Sequence, residues 1–160
     1  MSTADAPLPE APVLDGPPPR ILMIRAPYYR AIVDGMTVSA QALFATVGAH
    51  VETVDVAGAF ELPQALGIAM HSRTRFDGFV ALGCVVRGET DHYDYICDSA
   101  MHGLMSVALE HGICLGTALL TVDTIAQAEA RSAETGANKG AEAAVACLKQ
   151  IVLARRLGAA

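Results

Sequence analysis

Tryptophan is absent from the 160-residue sequence, and aromatic residues together make up only 5% of it. A core without large rings has to be packed by Ala, Val, Leu and Ile. Hydrophobic residues reach 52%, which is ample for that and excludes a disordered chain. Long apolar runs are missing too. The longest, FVALGCVV, falls far below the roughly 20 residues needed to span a bilayer, so no membrane partner is expected. The N-terminus shows neither the basic stretch nor the apolar segment of a secretory signal, which makes the cytoplasm the expected location. Basic charge is scarce as well. Against 17 Asp and Glu stand 11 Lys and Arg, a net charge of −6, and the one adjacent basic pair is Arg155-Arg156. A nucleic-acid partner would require a basic stripe facing its phosphates, so none is expected. Any anionic ligand must be held by a few local donors against an unfavourable overall field, which favours a small phosphate or carboxylate.

The four cysteines, Cys84, Cys97, Cys114 and Cys147, form no CxxC pair and have no His at ligand spacing, so no metal site is expected. Cys84, Cys114 and Cys147 lie in apolar runs and read as core residues. Cys97 follows Tyr93 by one helical turn. All four read as structural thiols in a reducing compartment. Proline is rare after residue 19: six of the eight fall within 1–19. Because proline removes a backbone donor and resists both helix and central strand, residues 1–19 read as a flexible or extended arm. Residues 20–160 then form a single domain, as the length suggests.

What remains alternates regularly. RILMIRA (20–26) reads as a strand, and Ile32, Met36, Ala40, Leu43 and Val47 recur at helical spacing. HVETVDV (50–56) follows as a strand, and a helix covers roughly 64–74. DGFVALGCVV (77–86) reads as a strand buried on both faces. Ile96, Ala100, Leu104, Val107 and Ala108 mark a third helix, and ICLGTALL (113–120) a fourth strand. DTIAQAEARSAE and NKGAEAAVACLKQIVLARRLG complete the chain as two helices, with Asn138 placed to cap the last. Such alternation implies an α/β fold: a flavodoxin-like three-layer αβα sandwich around a four-stranded parallel sheet in the order 2-1-3-4.

In an open parallel sheet, ligands bind beyond the carboxyl ends of the strands. Those ends are APYY (26–29), AGAFE (57–61), VVRGETDH (85–92) and LLTVDT (119–124), and the unusual residues of the sequence fall there. Arg87, Gly88, Glu89 and Thr90 precede a helix whose unpaired N–H groups would receive an anion; the plainer reading is a loop capped by Thr90 or Asp91. There is no GxxxxGK[ST] loop for a nucleoside triphosphate. His92 can accept and return a proton near neutral pH, whereas His50, His71, His102 and His111 read as ordinary surface residues. Glu61 could accept hydrogen bonds from hydroxyls or simply favour a helix start. Tyr28 and Tyr29 could stack on a flat heterocycle or close the core. Arg131 and Lys139 flank the join of the last two helices, where most cations are only solvated.

These residues together resemble the 6,7-dimethyl-8-ribityllumazine synthase family of riboflavin biosynthesis, from about Ile21 to the C-terminus. GAFELP (58–63) is similar to the family's GAFEIP element, VVRGETDHYDYI (85–96) to IRGxTxHxDYV, and LTVDTIAQAEAR…NKG to LTxENxEQAxxR…NKG. The resemblance implies a transferase that joins 5-amino-6-(D-ribitylamino)uracil to 3,4-dihydroxy-2-butanone 4-phosphate. The amine attacks the ketone to give an imine, phosphate leaves, and ring closure expels water. No metal or redox cofactor is implied. Tyr28 takes the stacking position over the pyrimidine. Ala59, Phe60 and Glu61 line the ribityl site, and Val85 and Val86 meet the pyrimidine edge through their backbone. Gly88, Glu89, Thr90 and Arg131 hold the phosphate, His92 is the general acid/base, and Lys139 helps fix the substrates.

Three positions depart from the family pattern. Thr117 stands where many members carry a Phe that a neighbouring subunit adds to the pocket, Tyr28 replaces Phe or Trp, and RAPYYR replaces ARF[NY]. The resemblance also implies a homo-oligomer with active sites between neighbours, a pentamer or twelve pentamers in an icosahedral 60-mer. SAETGANKG carries no insertion and permits the shell, whereas the prolines of the arm resist pairing with a neighbouring sheet and favour the pentamer. Riboflavin synthase is the partner that the product would suggest. The alternatives are a non-catalytic flavin or lumazine carrier, which would need neither His92 nor Arg131, a shell protein without an anion site, and an archaeal-type riboflavin synthase, which the complete GAFELP and NKG elements disfavour.

Overall fold

In the computed structural model, which describes residues 9–134 and 138–159, four strands lie parallel in one sheet ordered β2-β1-β3-β4. They are β1 (Arg20–Ala26), β2 (His50–Asp55), β3 (Gly78–Val86) and β4 (Leu115–Val122). The register sets Ile24 beside Val54 on one side and Ala81 on the other, and Ala81 beside Thr117. Five helices connect and flank the strands: α1 (Arg30–Thr46), α2 (Leu62–Met70), α3 (His92–His111), α4 (Ile125–Ser132) and α5 (Lys139–Leu157). The flavodoxin-like sandwich expected from the alternation is the fold observed.

The central strands are apolar on both sides because each face of the sheet is covered. On one face Met23, Val80 and Leu82 pack with Met36, Phe44, Cys147 and Leu148 from α1 and α5. On the other, Ile24, Ala81 and Leu119 pack with Leu62, Leu66, Ala100 and Leu104 from α2 and α3. The sheet therefore separates two cores, each with a single buried phenylalanine, Phe44 in the first and Phe79 in the second. Glycine permits the closest contacts on the first face. A Cβ on Gly140 would strike the Met36 carbonyl of α1, and one on Gly116 would strike the Ala143 carbonyl of α5.

Element boundaries depart from expectation where a local signal ends a helix or starts one. Gly112 takes the left-handed conformation at the end of α3, and the Ile113 N–H returns to the Ala108 carbonyl. Ile113 thus belongs to the helix end, and β4 runs from 115 to 122 rather than 113–120, pairing out to Val86. α2 starts two residues early, with Pro63 in its first turn, and stops at Met70, short of the expected 74. α4 begins only at Ile125 because the Thr124 hydroxyl accepts from Gln127 N at 3.3 Å. In α1 the buried stripe includes Phe44 instead of Leu43 and Val47, which are half-buried. Asn138 caps α5 as the sequence suggests: its Oδ1 accepts from Gly140 N at 2.8 Å while its Nδ2 donates to the Ser132 carbonyl at 2.8 Å.

The described part of the arm, 9–19, has no regular structure but lies against the domain. Ala11 and Leu14 pack on the first core, and Arg155 of α5 donates to the Asp15 and Pro17 carbonyls at 2.6 and 2.8 Å. Arm residues 1–8, and residues 135–137 of the SAETGANKG segment, lie outside the described residues. Among the described residues no helix is long and apolar enough to cross a membrane.

Candidate functional site

The chain reverses its direction of winding between β1 and β3, and ligands of such sheets bind at that point. A crevice of about 740 Å³ opens there. The turn after β1 supplies Tyr28 and Tyr29. The segment after β2 supplies Ala57, Gly58, Ala59, Phe60 and Glu61. The end of β3 gives Cys84, Val85 and Val86, and the first turns of α3 give His92 and Ile96. Tyr28, Ala59, Phe60, Glu61, Val85, Val86 and His92, singled out from sequence, thus meet in one place.

Their local structure explains their presentation. Pro27–Tyr29 forms a single 3₁₀ turn that projects Tyr28 outward, 77% exposed, with its ring 5.2 Å from that of Tyr29 in an edge-to-face pair. Ala59–Glu61 forms a second 3₁₀ turn leading into α2, which buries Ala59 and leaves Phe60 half-exposed. The Glu61 carboxylate folds back over Gly58, its Oε2 3.2 Å from where a Gly58 Cβ would stand. The floor is apolar and the rim carries one carboxylate and one imidazole. Such a slot suits a flat ring with a hydroxylated tail.

The loop 87–91 borders this crevice. Gly88, Glu89 and Thr90 are exposed and lead directly to His92, but they are not part of its wall. No side chain caps the start of α3, so the plainer reading of Thr90 or Asp91 as caps does not hold. An uncapped first turn retains N–H groups suited to an anion. Arg87, named from sequence only as part of the loop before α3, has partners that the sequence did not foretell. It grips the Asp94 carboxylate with both terminal nitrogens at 3.0 Å, donates Nε to Asp123 at 3.1 Å, and lies 4.1 Å above the Tyr93 ring. The Asp94 pKa is held below the usual carboxylate range by the Arg87 hydrogen bond. Nothing local announces these contacts, since Asp123 is 36 residues away.

Ala57, Gly58, Cys84 and Ile96 also line the crevice without having been assigned roles there, and so does Tyr29, which the sequence offered beside Tyr28 for stacking or for closing the core. Ile96 was inferable, being one helical turn beyond His92 on the same face. Burial, with Cys97 nearby, pushes the Cys84 thiol up to about 11, so it is a neutral wall and not a nucleophile. Burial likewise raises Cys97, Cys114 and Cys147, in keeping with structural roles. Among the described residues no group of three or more His, Cys, Asp or Glu is placed to hold a metal ion.

Three expected residues are not brought to this crevice within one chain. Thr117 and Lys139 line a separate cavity of about 290 Å³ between β4 and α5. Lys139 is paired there with Glu142 at 2.6 Å. Arg131 donates to the Gln127 carbonyl of its own helix at 2.8 Å. All three lie on β4, α4 and α5, whereas the crevice is built from β1, β2, β3 and α3.

Comparison with known proteins identifies the family. Residues 18–155 match the model of the family described as 6,7-dimethyl-8-ribityllumazine synthase. A protein of that name from Methylobacterium radiotolerans is 41% identical over 150 residues, covering 94% of this chain and 90% of its own. One from Paramagnetospirillum magneticum is 39% identical over 145 residues, covering 87% and 97%. From Rhizobium meliloti, a 6,7-dimethyl-8-ribityllumazine synthase 1 is 39% identical over 146 residues, covering 89% and 95%. With residues 18–155 matched by the family model and relatives at 39–41% identity spanning most of both chains, this chain belongs to the 6,7-dimethyl-8-ribityllumazine synthase family.

Proposed function

We propose that the crevice at the ends of β1, β2 and β3 is the workplace of this synthase. There 5-amino-6-(D-ribitylamino)uracil condenses with 3,4-dihydroxy-2-butanone 4-phosphate to give 6,7-dimethyl-8-ribityllumazine, the penultimate step of riboflavin biosynthesis. One observation carries the reading: residues far apart in the chain converge on a single slot with an aromatic face at Tyr28, a carboxylate at Glu61 and an imidazole at His92. The pyrimidine stacks on Tyr28 and meets the Val85–Val86 backbone, while its ribityl chain runs along Ala59 and Phe60 to Glu61. The phosphate ester lies toward Gly88, Glu89, Thr90 and the free start of α3. His92 sits between the two, where the reacting atoms meet.

The chemistry needs proton movement at every step. The amine adds to the ketone and loses water to form an imine; phosphate then departs, and ring closure releases a second water. An imidazole that accepts and returns protons near neutral pH serves all of these. Holding two reactants in register supplies much of the remaining acceleration. These substrates are water-soluble, and the reaction belongs in the cytoplasm.

The reading also calls for several copies. Thr117, Lys139 and Arg131 serve the crevice only if a neighbouring chain brings its β4–α5 side to it. An apolar face on α3, with Tyr95, Met101, Met105 and Leu109 all exposed, offers a surface for such neighbours. A pentamer is the arrangement favoured over the icosahedral shell, on the prolines of the arm. Light scattering after size exclusion should therefore give five times the chain mass, whereas a monomer would remove the shared site. The activity itself is tested by mixing purified protein with both substrates and following lumazine absorbance and fluorescence. Product no faster than the uncatalysed background ends the proposal.

A further inference from the structure

Arg87 stands beside the proposed phosphate loop yet directs its donors to protein carboxylates. Its backbone N–H extends the β3–β4 ladder to the Val122 carbonyl at 2.9 Å. The side chain then turns over Tyr93 and forks onto Asp94 in the first turn of α3, with Nε reaching Asp123 just past β4. One residue thereby joins three elements. The loop between its two ends has little else to define it: α3 starts without a side-chain cap, and a Cβ on Gly88 would meet nothing within 4 Å.

We propose that Arg87 is a positioning residue for the reaction, acting with Asp94 to set the 88–91 loop and His92 against the crevice. The inference rests on the roles given above to that loop and to His92. Arg87 precedes the loop and Asp94 follows it, so the fork between them closes the loop at its base. Two carboxylates on one guanidinium leave no net positive charge for a phosphate, which argues against Arg87 as a direct ligand. The planar fork also explains why arginine is required. An ammonium would keep the charge but could not bridge both Asp94 oxygens while reaching Asp123.

The test is steady-state kinetics with both substrates on the assembled full-length protein, comparing wild type, Arg87→Lys, Asp94→Asn and the double variant. Misplacing a catalytic group by an ångström costs up to about a hundredfold, so each single variant should lower kcat by roughly ten- to a hundredfold. The KM for the pyrimidine, which is bound by other walls, should stay unchanged. Because the two residues act as one unit, the double variant should be no slower than the slower single variant. Near-UV circular dichroism at the assay temperature should match wild type.

Wild-type kinetics in Arg87→Lys would overturn the inference. So would opposite effects, with Arg87→Lys weakening only the phosphate substrate and Asp94→Asn tightening it, since that pattern marks a phosphate ligand. Loss of activity that follows partial unfolding in both variants would assign the ion pairs to stability alone and also overturn it. An inactive wild type would instead defeat the proposed reaction, so the two failures are told apart.

Discussion

Glu61 reaches back over a residue with no side chain, and that vacancy decides where its carboxylate points. Gly58 has extended backbone, φ −160° and ψ −177°, which any residue can adopt. An added methyl group would therefore meet only the end of the Glu61 side chain, at 3.2 Å, and push it aside by a few tenths of an ångström. Gly58→Ala is expected to raise the KM for the ribityl pyrimidine several-fold while leaving the melting temperature and the KM for the phosphate substrate unchanged. Titrating each substrate separately checks this, and an equal rise in both would break the link from Glu61 to the sugar. His92 poses a different question of magnitude. General acid–base groups contribute about 10²–10⁴-fold, so His92→Ala should slow single-turnover formation of the lumazine by that order without abolishing it. Pre-steady-state fluorescence at saturating substrates would show it; turnover equal to wild type would take the proton-transfer role away from the imidazole.

At the level of elements, the sheet was legible because β1, β3 and β4 are apolar runs, β2 alternates, and the helices carry stripes at three- and four-residue spacing. Asn138 and the strand order follow from the same local rules. The start of β4 did not, because Gly112 and the closing Ile113 N–H assign Ile113 to a helix end that hydrophobicity cannot distinguish from a strand start. The docking of Ala11 and Leu14 was hidden behind prolines that signal only extended backbone. The NKG element was read for its lysine, yet its flanking residues hold the fold: Asn138 caps α5 and Gly140 lets α5 rest on the Met36 carbonyl of α1. A side chain at Gly140 meets rigid backbone, and overpacking of this kind costs about 1–3 kcal/mol or more. Gly140→Ala should lower the urea midpoint accordingly, at unchanged slope; an unaffected midpoint would mean that the two helices slide apart freely. The Arg87–Asp94 link between β3 and α3 has its own signature. The Asp94 pKa is lower folded than unfolded, so its stabilisation is complete above the unfolded value and fades as pH falls through the folded one. Wild type should progressively lose its stability advantage over Asp94→Asn on acidification below about pH 4, the ordinary carboxylate value, and an advantage that does not shrink as pH falls further would contradict the assigned cause.

On the proposed function, the molecule as a whole presents half of a site on each of two sides. Tyr28 and Phe60 stand exposed at the crevice, while Thr117 and Lys139 line their own cavity beyond β4. Thr117 stands exposed on that second side, so a neighbour's crevice could sit against it without displacing a large ring. If copies join head to tail, each crevice draws on two chains, and a defect on one side is independent of a defect on the other. This gives a test that needs no structure of the assembly. Protein carrying His92→Ala is unfolded, mixed in equal amounts with protein carrying both Arg131→Ala and Lys139→Ala, and refolded together. Random joining should pair two intact halves at about a quarter of the sites, and activity should recover toward that fraction of wild type. Separately refolded controls should stay at their own low rates. Were the site complete within one chain, no arrangement of the two variants could rebuild it, and the mixture would show only the average of its parts.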